Sequence, residues 1–341
     1  MGHPGFFRQT LRRYRLLLGY LRRETVLPGL PVSAIISSTS RCNLRCPMCP
    51  RAISSFANVD IDFTLFTRII EQGAPYFEYV ILQGAGEPLL NPRIFEMIAL
   101  SRRHGLRTGF STNATLLRGE RIDQLLDSGL DTLILAVDGT TPEVYEKYRE
   151  GASYPVTMQN IEDFLRRKLE TRAPVHVTVQ MVRLPDNQHQ VEDFKRLWRR
   201  PGVDQVRIKE DEIRVEHVGL EEKPATRQAS NPCHFLWQGP IYIEENGDVY
   251  PCCHAWTAKP LGNVEKEPLT GIWNNPRIVA MRKAHAAGDL SGFPECLNCQ
   301  APKPRLPLIL GSFAVDHYRV RKIIPVVERL NLFHKLNLFE K

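Results

Sequence analysis

The chain lacks long apolar runs, abundant glycine, and cysteine over most of its length. A membrane-spanning helix needs about 18 consecutive apolar residues, but the longest candidate, residues 130–137, is much shorter and contains polar side chains. The early apolar stretch at 16–21 is closed by arginines on both sides, which is not the layout of a secretory signal peptide. Only 22 of the 341 residues are glycine, which excludes a collagen-like repeat. We therefore predict a globular, cytoplasmic protein.

Positive charge is scarce in the centre of the chain and concentrated at its two ends. Residues 1–30 and residues 301–341 each carry a net charge of +5, whereas residues 31–300 carry −3. A nucleic-acid enzyme places its basic surface around its site, so we expect no nucleic-acid partner.

Both ends of the chain are also amphipathic. In residues 1–31 one helical face is predicted to hold Phe7, Leu11, Tyr14, Leu18 and Leu21. Residues 303–341 combine basic and apolar residues in the same way. Such segments are typical of interfacial anchors, which predicts peripheral contact with the inner membrane face. The alternative is that both segments dock on the protein itself.

Residues 32–212 alternate between β-rich runs and amphipathic helical runs. The predicted strands are 32–39, 79–83, 107–111, 132–137, 175–182 and 205–209, and the predicted helices are 64–76, 92–104, 120–128, 142–148, 157–170 and 190–198. This alternation indicates βαβ units and a parallel sheet. Six strands are too few for a closed eight-stranded barrel, so a partial barrel and an open doubly wound sheet both remain. In either fold, ligands bind at the carboxyl ends of the strands.

A second domain, which does not continue the alternation of strands and helices, is predicted at 231–302, after a polar linker at 213–230. Residues 241–250 form a hairpin pattern, with Asn246 and Gly247 at its turn. Helices are predicted at 269–273 and 276–287.

The first of two cysteine groups follows the first predicted strand. Cys42, Cys46 and Cys49 have the spacing C-x3-C-x2-C. Three thiolates bind three irons of a cubane cluster and leave the fourth iron open. The alternative is a zinc site, which needs four closed ligands. No histidine or fourth cysteine lies within ten residues.

Together with three later motifs, this triplet resembles the radical S-adenosylmethionine (SAM) superfamily. The motifs are the loop Gln83–Leu90, which resembles the family's GGEP loop, Ser111-Thr112-Asn113, and Val137-Asp138-Gly139. Each follows a predicted strand, in the order that the family has. Ala85 departs from the family's loop, and Met48 stands where the family often has an aromatic residue. The resemblance covers residues 32–212 and implies an α/β fold, a partial (β/α)6 TIM-type barrel.

The resemblance also implies roles for individual residues. SAM would chelate the open iron, and the loop residues Gly84, Ala85, Gly86 and Glu87 would meet its methionine ammonium. Ser111, Asn113, Asp138 and Gln180 are the candidates for contacts to its carboxylate and ribose. The structural alternative is that Asn113 and Asp138 form Asx-turns.

The chemistry implied by the resemblance is a radical reaction. One electron from a flavodoxin- or ferredoxin-type reductant passes through the [4Fe–4S] cluster and cleaves SAM to methionine and a 5′-deoxyadenosyl radical. This radical abstracts a hydrogen atom from an unactivated C–H bond of the substrate.

The second cysteine group is spread over the predicted C-terminal domain. Four thiols are enough to close a second cubane completely, and they are supplied by Cys233, Cys252, Cys296 and Cys299. With Gly247 five residues before Cys252, the pattern resembles the SPASM/twitch extension of radical SAM enzymes. A full SPASM domain has seven cysteines, so the shorter twitch form with one auxiliary [4Fe–4S] cluster is predicted. Structural zinc is the alternative. Cys253 is either a buried spectator or a hydrogen-atom donor to a substrate radical.

The substrate stays open at the level of sequence. Peptide maturation and the dehydrogenation or epimerisation of a sugar, cyclitol or lipid-linked substrate are both compatible with the motifs. Many peptide maturases carry a leader-binding module before the barrel, and 31 residues are too few for one. The rival from another class is a non-catalytic iron–sulfur electron carrier or a zinc-stabilised binding module, which has no need of the loop at 84–87.

Overall fold

The computed structural model describes residues 6–210, 231–255, 258–297, 299, 301 and 303–315. The predicted linker at 213–230 and residues 316–341 lie outside these ranges. The helices are α1 (Phe6–Leu21), α2 (Phe63–Gly73), α3 (Ile94–Arg103), α4 (Glu120–Asp127), α5 (Pro142–Tyr148), α6 (Tyr154–Thr171), α7 (Val191–Trp198), α8 (Phe235–Gln238), α9 (Leu269–Ile272), α10 (Pro276–Ala287), α11 (Pro294–Leu297) and α12 (Leu306–Ala314). The strands are β1 (Ser33–Ile36), β2 (Tyr79–Ile81), β3 (Arg107–Thr112), β4 (Thr132–Ala136), β5 (His176–Arg183), β6 (Gln205–Glu210), β7 (Ile241–Ile243), β8 (Asp248–Tyr250) and β9 (Gly262–Asn263).

The strands form one mixed, open sheet in the order β6-β5-β4-β3-β2-β1-β7-β8-β9. Strands β3 to β6 pair in parallel, and β7 to β9 pair antiparallel. From β1 to β6 the spatial order follows the chain order without a reversal. A doubly wound sheet reverses its order at a switch point, so the arrangement is that of a partial barrel.

The chain divides into two compact units, and the division falls inside β1 and β2. We call residues 36–66 and 80–222 the barrel unit, and residues 1–35, 67–79 and 223–341 the C-terminal unit. In the barrel unit the strand register pairs fully buried apolar residues, for example Leu135 with Val179. Such runs are typical of parallel strands covered on both faces.

All six strands predicted for the barrel are present, but β1 ends three residues early. After Ile36 the chain leaves the sheet and pairs with the segment before α2. Ser40 N–H donates to the Val59 carbonyl, and Ile61 N–H donates to the Ser38 carbonyl. These bonds satisfy the backbone directly before the first cysteine group and fix where its loop begins.

In the C-terminal unit the predicted hairpin is confirmed. Gly247 has φ +84°, a conformation that favours glycine, and the Asn246 side chain accepts from Asp248 N–H over 2.9 Å. The helices α8, α11 and α12 and the short strand β9 were not anticipated from the sequence. Each is nine residues or shorter, too short for its periodicity to be distinctive.

Helix α1 docks within the C-terminal unit through one face. The ring of Tyr20 lies 5.4 Å from the rings of Trp237 on α8 and Phe313 on α12. Its hydroxyl donates to the Pro232 carbonyl over 3.0 Å. The alternative given for the first segment, docking on the protein itself, is therefore observed for this face. Among the described residues, no helix is long and apolar enough to cross a membrane.

Candidate functional site

Cys42, Cys46 and Cys49 lie in one loop of the barrel unit, directly after the segment that leaves β1. Cys46 is buried, and the other two are half-buried. The Cys49 N–H donates to the Cys46 carbonyl over 3.1 Å, which forms a turn between the last two cysteines. The thiols pack in an apolar cluster that includes Leu44, Met48, Tyr148 and Leu184. Met48, which departs from the family pattern, thus serves as part of this apolar wall.

The loop is unfavourable for three free thiolates. Burial raises the pKa of the Cys46 thiol to about 11; Arg149 opposes this rise, and the nearby Cys49 and Cys42 add to it. Burial likewise raises the pKa values of Cys42 and Cys49. Three neighbouring thiols whose pKa values are all raised by burial need positive charge among them to ionise together. A bound metal cluster would supply that charge, so the residues fit a cluster.

Arg149 is an almost buried cation, with its side chain 13% exposed, between Asp138 and the Cys46 thiol. Its Nη2 lies 2.5 Å from Asp138 Oδ2, and its Nη1 lies 4.0 Å from Cys46 Sγ. Asp138 is fully buried, and its other oxygen accepts from Val182 N–H over 2.7 Å. Burial acts to lower the pKa of the Arg149 guanidinium, but Asp138 and Cys46 outweigh it and raise this pKa. The arginine therefore stays charged beside the thiol.

Glu87 joins two strand-end loops of the barrel unit. Its Oε1 accepts from Thr112 Oγ1 over 2.6 Å and from Leu89 N–H over 3.1 Å. Its Oε2 accepts from Asn113 N–H over 2.8 Å. Burial raises the pKa of this carboxyl, and the bonds from Asn113 and Thr112 oppose the rise. The carboxylate is thus already engaged, and it fixes the loop after β2 to the end of β3.

The glycines of the same loop are required by the protein itself. A Cβ at Gly84 would overlap the Ser37 side chain, and a Cβ at Gly86 would overlap the carbonyls of Thr39 and Arg41. These neighbours belong to the segment that follows β1, and Ala85 between the two glycines is half-buried.

The other predicted SAM contacts lie at the ends of β3, β4 and β5. Ser111 donates its N–H to the Gln83 side chain over 2.9 Å. Asn113 forms the expected Asx-turn, since its Oδ1 accepts from Thr115 N–H over 3.0 Å. Asp138 forms an ion pair rather than an Asx-turn. Gln180 accepts at its side-chain oxygen from the Arg207 guanidinium.

The second cysteine group lines a single cavity in the C-terminal unit. Its four members come from separate parts of the chain: Cys233 before α8, Cys252 after β8, Cys296 in α11, and Cys299 beyond it. Cys253 is not among the described residues that line this cavity. The structure therefore brings together the four cysteines that the spacing selects.

The thiols of this group interact as a cluster. Burial raises the pKa of Cys233 to about 11, and Cys299 contributes to the rise. Burial, followed by Cys233, raises the pKa values of Cys252 and Cys296. Within the described part of the chain, no three Cys, His, Asp or Glu side chains are arranged to hold one metal ion. A cubane does not require such convergence, because each thiolate binds a different iron.

Two residues beside the cysteines were missed by sequence reasoning. Arg149 was missed because an arginine at the end of α5 is ordinarily a surface residue. His285 on α10 lines the second cavity, and its Nδ1 accepts from Cys233 N–H over 3.4 Å. Burial lowers its pKa to about 4, so it is neutral at pH 7. Neither residue belongs to a local motif, and only the fold places them at the cysteines.

Sequence comparisons place the chain among iron–sulfur enzymes. Residues 36–197 match the radical SAM superfamily, and residues 233–300 match the SPASM iron–sulfur cluster-binding domain. The chain is 26% identical over 312 residues to the tungsten-containing aldehyde ferredoxin oxidoreductase cofactor-modifying protein of Pyrococcus furiosus, covering 76% of this chain and 85% of that protein. It is 23% identical to the AdoMet-dependent heme synthase of Methanosarcina barkeri, covering 78% and 87%.

Solved structures share the fold. Streptococcus suis SuiB bound to its precursor peptide SuiA superposes with a TM-score of 0.63 at 14% identity, covering 84% of this chain and 73% of SuiB. BtrN in complex with AdoMet and 2-DOIA superposes with a TM-score of 0.53 at 17% identity, covering 79% and 93%. The chain belongs to the radical SAM superfamily, as an enzyme with a partial TIM barrel, a C-terminal SPASM domain, and SAM and [4Fe–4S] clusters as its cofactors.

Proposed function

We propose that this enzyme reductively cleaves SAM and abstracts a hydrogen atom from an unactivated C–H bond of its substrate. The observation that carries the proposal is the loop of Cys42, Cys46 and Cys49, with three thiols in one apolar cluster beside the Arg149 guanidinium. When bound there, the cluster and SAM supply the 5′-deoxyadenosyl radical. The protein's own part is to hold both groups, exclude water and present one C–H bond.

Glu87 and Arg149 are the residues that organise this site. We assign Glu87 the role of fixing the loop at 84–87 against β3, because all its described bonds go to protein groups. Arg149, held by Asp138, keeps positive charge beside Cys46 and suits the carboxylate of SAM. Ser111, Asn113 and Gln180 lie at the same strand ends and remain candidates for its polar groups.

For the C-terminal site we propose one auxiliary [4Fe–4S] cluster bound by Cys233, Cys252, Cys296 and Cys299. Their common cavity supports this ligand set, and the position of Cys253 outside the cavity lining supports its role as a spectator. We assign the cluster domain to residues 231–302 and the radical SAM domain to residues 32–212.

The substrate that the comparisons favour is a peptide. The SuiB structure is bound to a precursor peptide, and a PqqA peptide cyclase of Gluconobacter oxydans is 28% identical over 116 residues. A second candidate is a small or lipid-linked molecule, supported by the BtrN complex with 2-DOIA. We further propose that the enzyme works in the cytoplasm, receives electrons from a flavodoxin- or ferredoxin-type protein, and contacts the inner membrane face peripherally.

The test is SAM cleavage by the reconstituted, reduced full chain. The wild type should produce 5′-deoxyadenosine, and the triple variant C42A/C46A/C49A should produce none. The variant should retain about half of the iron, because a cubane contains four irons and the second site keeps its ligands. This remaining iron is the control for correct folding. If the folded triple variant cleaves SAM at the wild-type rate, the proposal is wrong.

A further inference from the structure

Helix α1 has two apolar faces, and only one of them is covered within the described residues. The covered face packs Leu16 and Tyr20, which are 2% and 3% exposed. The other face presents Leu11, Tyr14 and Leu21, which are 39%, 56% and 51% exposed. Scattered exposed leucines are common on protein surfaces. Three large apolar side chains at intervals of three and seven residues instead lie in one row along the same face of the helix, with the half-buried Leu18 between Tyr14 and Leu21.

A row of arginines runs beside this apolar row. Arg8 and Arg15 on α1, and Arg22 directly after its last residue, are exposed and recur every seven residues. Arg15 and Arg22 each directly follow a residue of the apolar row, Tyr14 and Leu21, and one residue corresponds to a rotation of about 100° around the helix axis. Among the described residues, the ion pair of Arg22 is with the exposed Glu24, over 3.8 Å. No aspartate or glutamate occurs from Phe6 to Arg23. The outward surface of α1 is therefore apolar and cationic without a compensating acidic side chain on the helix itself.

The remaining arginines of α1 serve its attachment to the C-terminal unit. Arg13 forms an ion pair with Glu78, and both side chains are almost buried. Arg12 donates to the Pro31 carbonyl over 3.2 Å and lies over the Tyr76 ring. The helix is thus held rigidly by one face, so that its other face has a fixed orientation on this unit.

We infer that the exposed face of α1, formed by Leu11, Tyr14, Leu21, Arg8, Arg15 and Arg22, docks on an anionic lipid surface. A helix with an apolar row and flanking cations lies in the plane of a bilayer, with the apolar side chains at the acyl boundary and the cations at the phosphates. Charge complementarity is what selects anionic lipid as the occupant. The inference names the surface for the peripheral membrane contact proposed above, and it does not depend on the radical chemistry.

The experiment is co-sedimentation of the full chain with vesicles of phosphatidylcholine alone and of phosphatidylcholine with 30% phosphatidylserine, at low and high salt. We expect binding to the anionic vesicles that weakens as salt rises. L11S/Y14S/L21S should abolish it. R8Q/R15Q should lower the partition coefficient about 25-fold, since each basic residue near such a surface contributes roughly fivefold.

The matched control is V156S/L169S/L197S, which removes three apolar residues of similar exposure from helices α6 and α7. This control should bind like the wild type. The inference is overturned if the full chain does not bind anionic vesicles at low salt, or if the two α1 variants bind as well as the wild type.

A further variant that ends at residue 315 separates the two ends of the chain. Wild-type binding by this truncated chain supports α1 as the docking surface. If only the truncated chain binds vesicles, residues 316–341 cover the exposed face of α1 in the full chain. If truncation abolishes binding while the two α1 variants bind like the wild type, the lipid contact belongs to residues 316–341. Both results overturn the inference. All these variants should form 5′-deoxyadenosine at the wild-type rate. Loss of SAM cleavage would therefore contradict the proposed function, whereas loss of vesicle binding alone would concern only the lipid contact.

Discussion

The two cysteine sites differ in how the chain assembles them. The three thiols of the barrel unit lie within eight residues of one loop, whereas the four thiols of the C-terminal unit are spread over residues 233–299. A local site needs only its loop to be formed, but a site drawn from distant segments needs the whole unit to be folded. The second cluster should therefore depend more strongly on every one of its ligands.

The two sites also differ in charge. Cys46 has the Arg149 guanidinium 4.0 Å away, and that cation is held by a buried carboxylate. The second cavity is lined by the neutral imidazole of His285 and by Lys303, whose charge opposes the rise in the pKa of Cys233; the nearby Arg277 is paired with Glu295 over 2.6 Å. The first site thus carries fixed positive charge where an open iron has to bind an anionic ligand. The second site differs in that its cavity lining combines four thiols with a neutral imidazole and a lysine.

The strongest contrast is expected between Cys252→Ala and Cys253→Ala. Cys252 lines the cavity with the other three cysteines, so its loss should reduce the iron content by about half, which is one cubane of two. Cys253→Ala should leave iron content unchanged. Iron analysis and the absorbance of the reconstituted proteins measure both. Equal iron content in the two variants would show that the second cluster does not depend on Cys252 as a ligand. Loss of iron in Cys253→Ala alone would show that Cys253 is the ligand.

A smaller effect, on the free energy of unfolding, is expected from removal of the Arg149 charge. Arg149→Met leaves Asp138 charged and unpaired at 0% exposure, which should lower the free energy of unfolding by about 3 kcal/mol. In the double variant D138N/R149M neither charge remains, so most of this stability should return. Chemical denaturation of the two variants measures the difference.

SAM cleavage provides the second readout for Arg149. It should stay low in both variants, because the positive charge beside Cys46 is missing in each. The single variant R149K keeps a charge but not the forked geometry, and it should be intermediate. If D138N/R149M cleaves SAM at the wild-type rate, the charge of Arg149 is not needed for cleavage, and Arg149 serves only to pair with Asp138.

The barrel could be predicted from the sequence because its signals are local. Alternating apolar runs identified all six strands, and the triplet spacing identified the first cysteine loop. The hairpin was predicted from Asn246 and Gly247, whose turn chemistry is independent of the rest of the fold. The order of strands β1 to β6, which decides between a partial barrel and a doubly wound sheet, depends on non-local pairing and had to come from the structure.

The partners of the site residues were not predictable for the same reason. The bonds from Thr112 and Asn113 to Glu87 exist because the ends of β2 and β3 are adjacent, and Arg149 reaches Cys46 only through the packing of α5. On α1 the periodicity identified the row containing Leu11 and Tyr14. It did not reveal that Leu16 and Tyr20 form a second apolar face, which is the one that docks.

The smallest expected effect concerns His285. Its Nδ1 accepts from Cys233 N–H, so in the neutral ring the proton is on Nε2. This Nε2 is buried and has no hydrogen-bond partner among the described residues. A buried donor without a partner is costly, and the cluster sulfurs of the same cavity are suitable acceptors. Hydrogen bonds to sulfur raise the potential of an iron–sulfur cluster.

We therefore expect His285→Leu to shift the midpoint potential of the second cluster by roughly −40 mV, which corresponds to about 1 kcal/mol in a one-electron couple. The iron content should not change, because the four thiols remain. The measurement is an EPR-monitored redox titration in the C42A/C46A/C49A background, where only the second cluster is present. His285→Gln restores a donor and should recover part of the shift. An unchanged potential in His285→Leu would show that His285 does not donate a hydrogen bond to the second cluster.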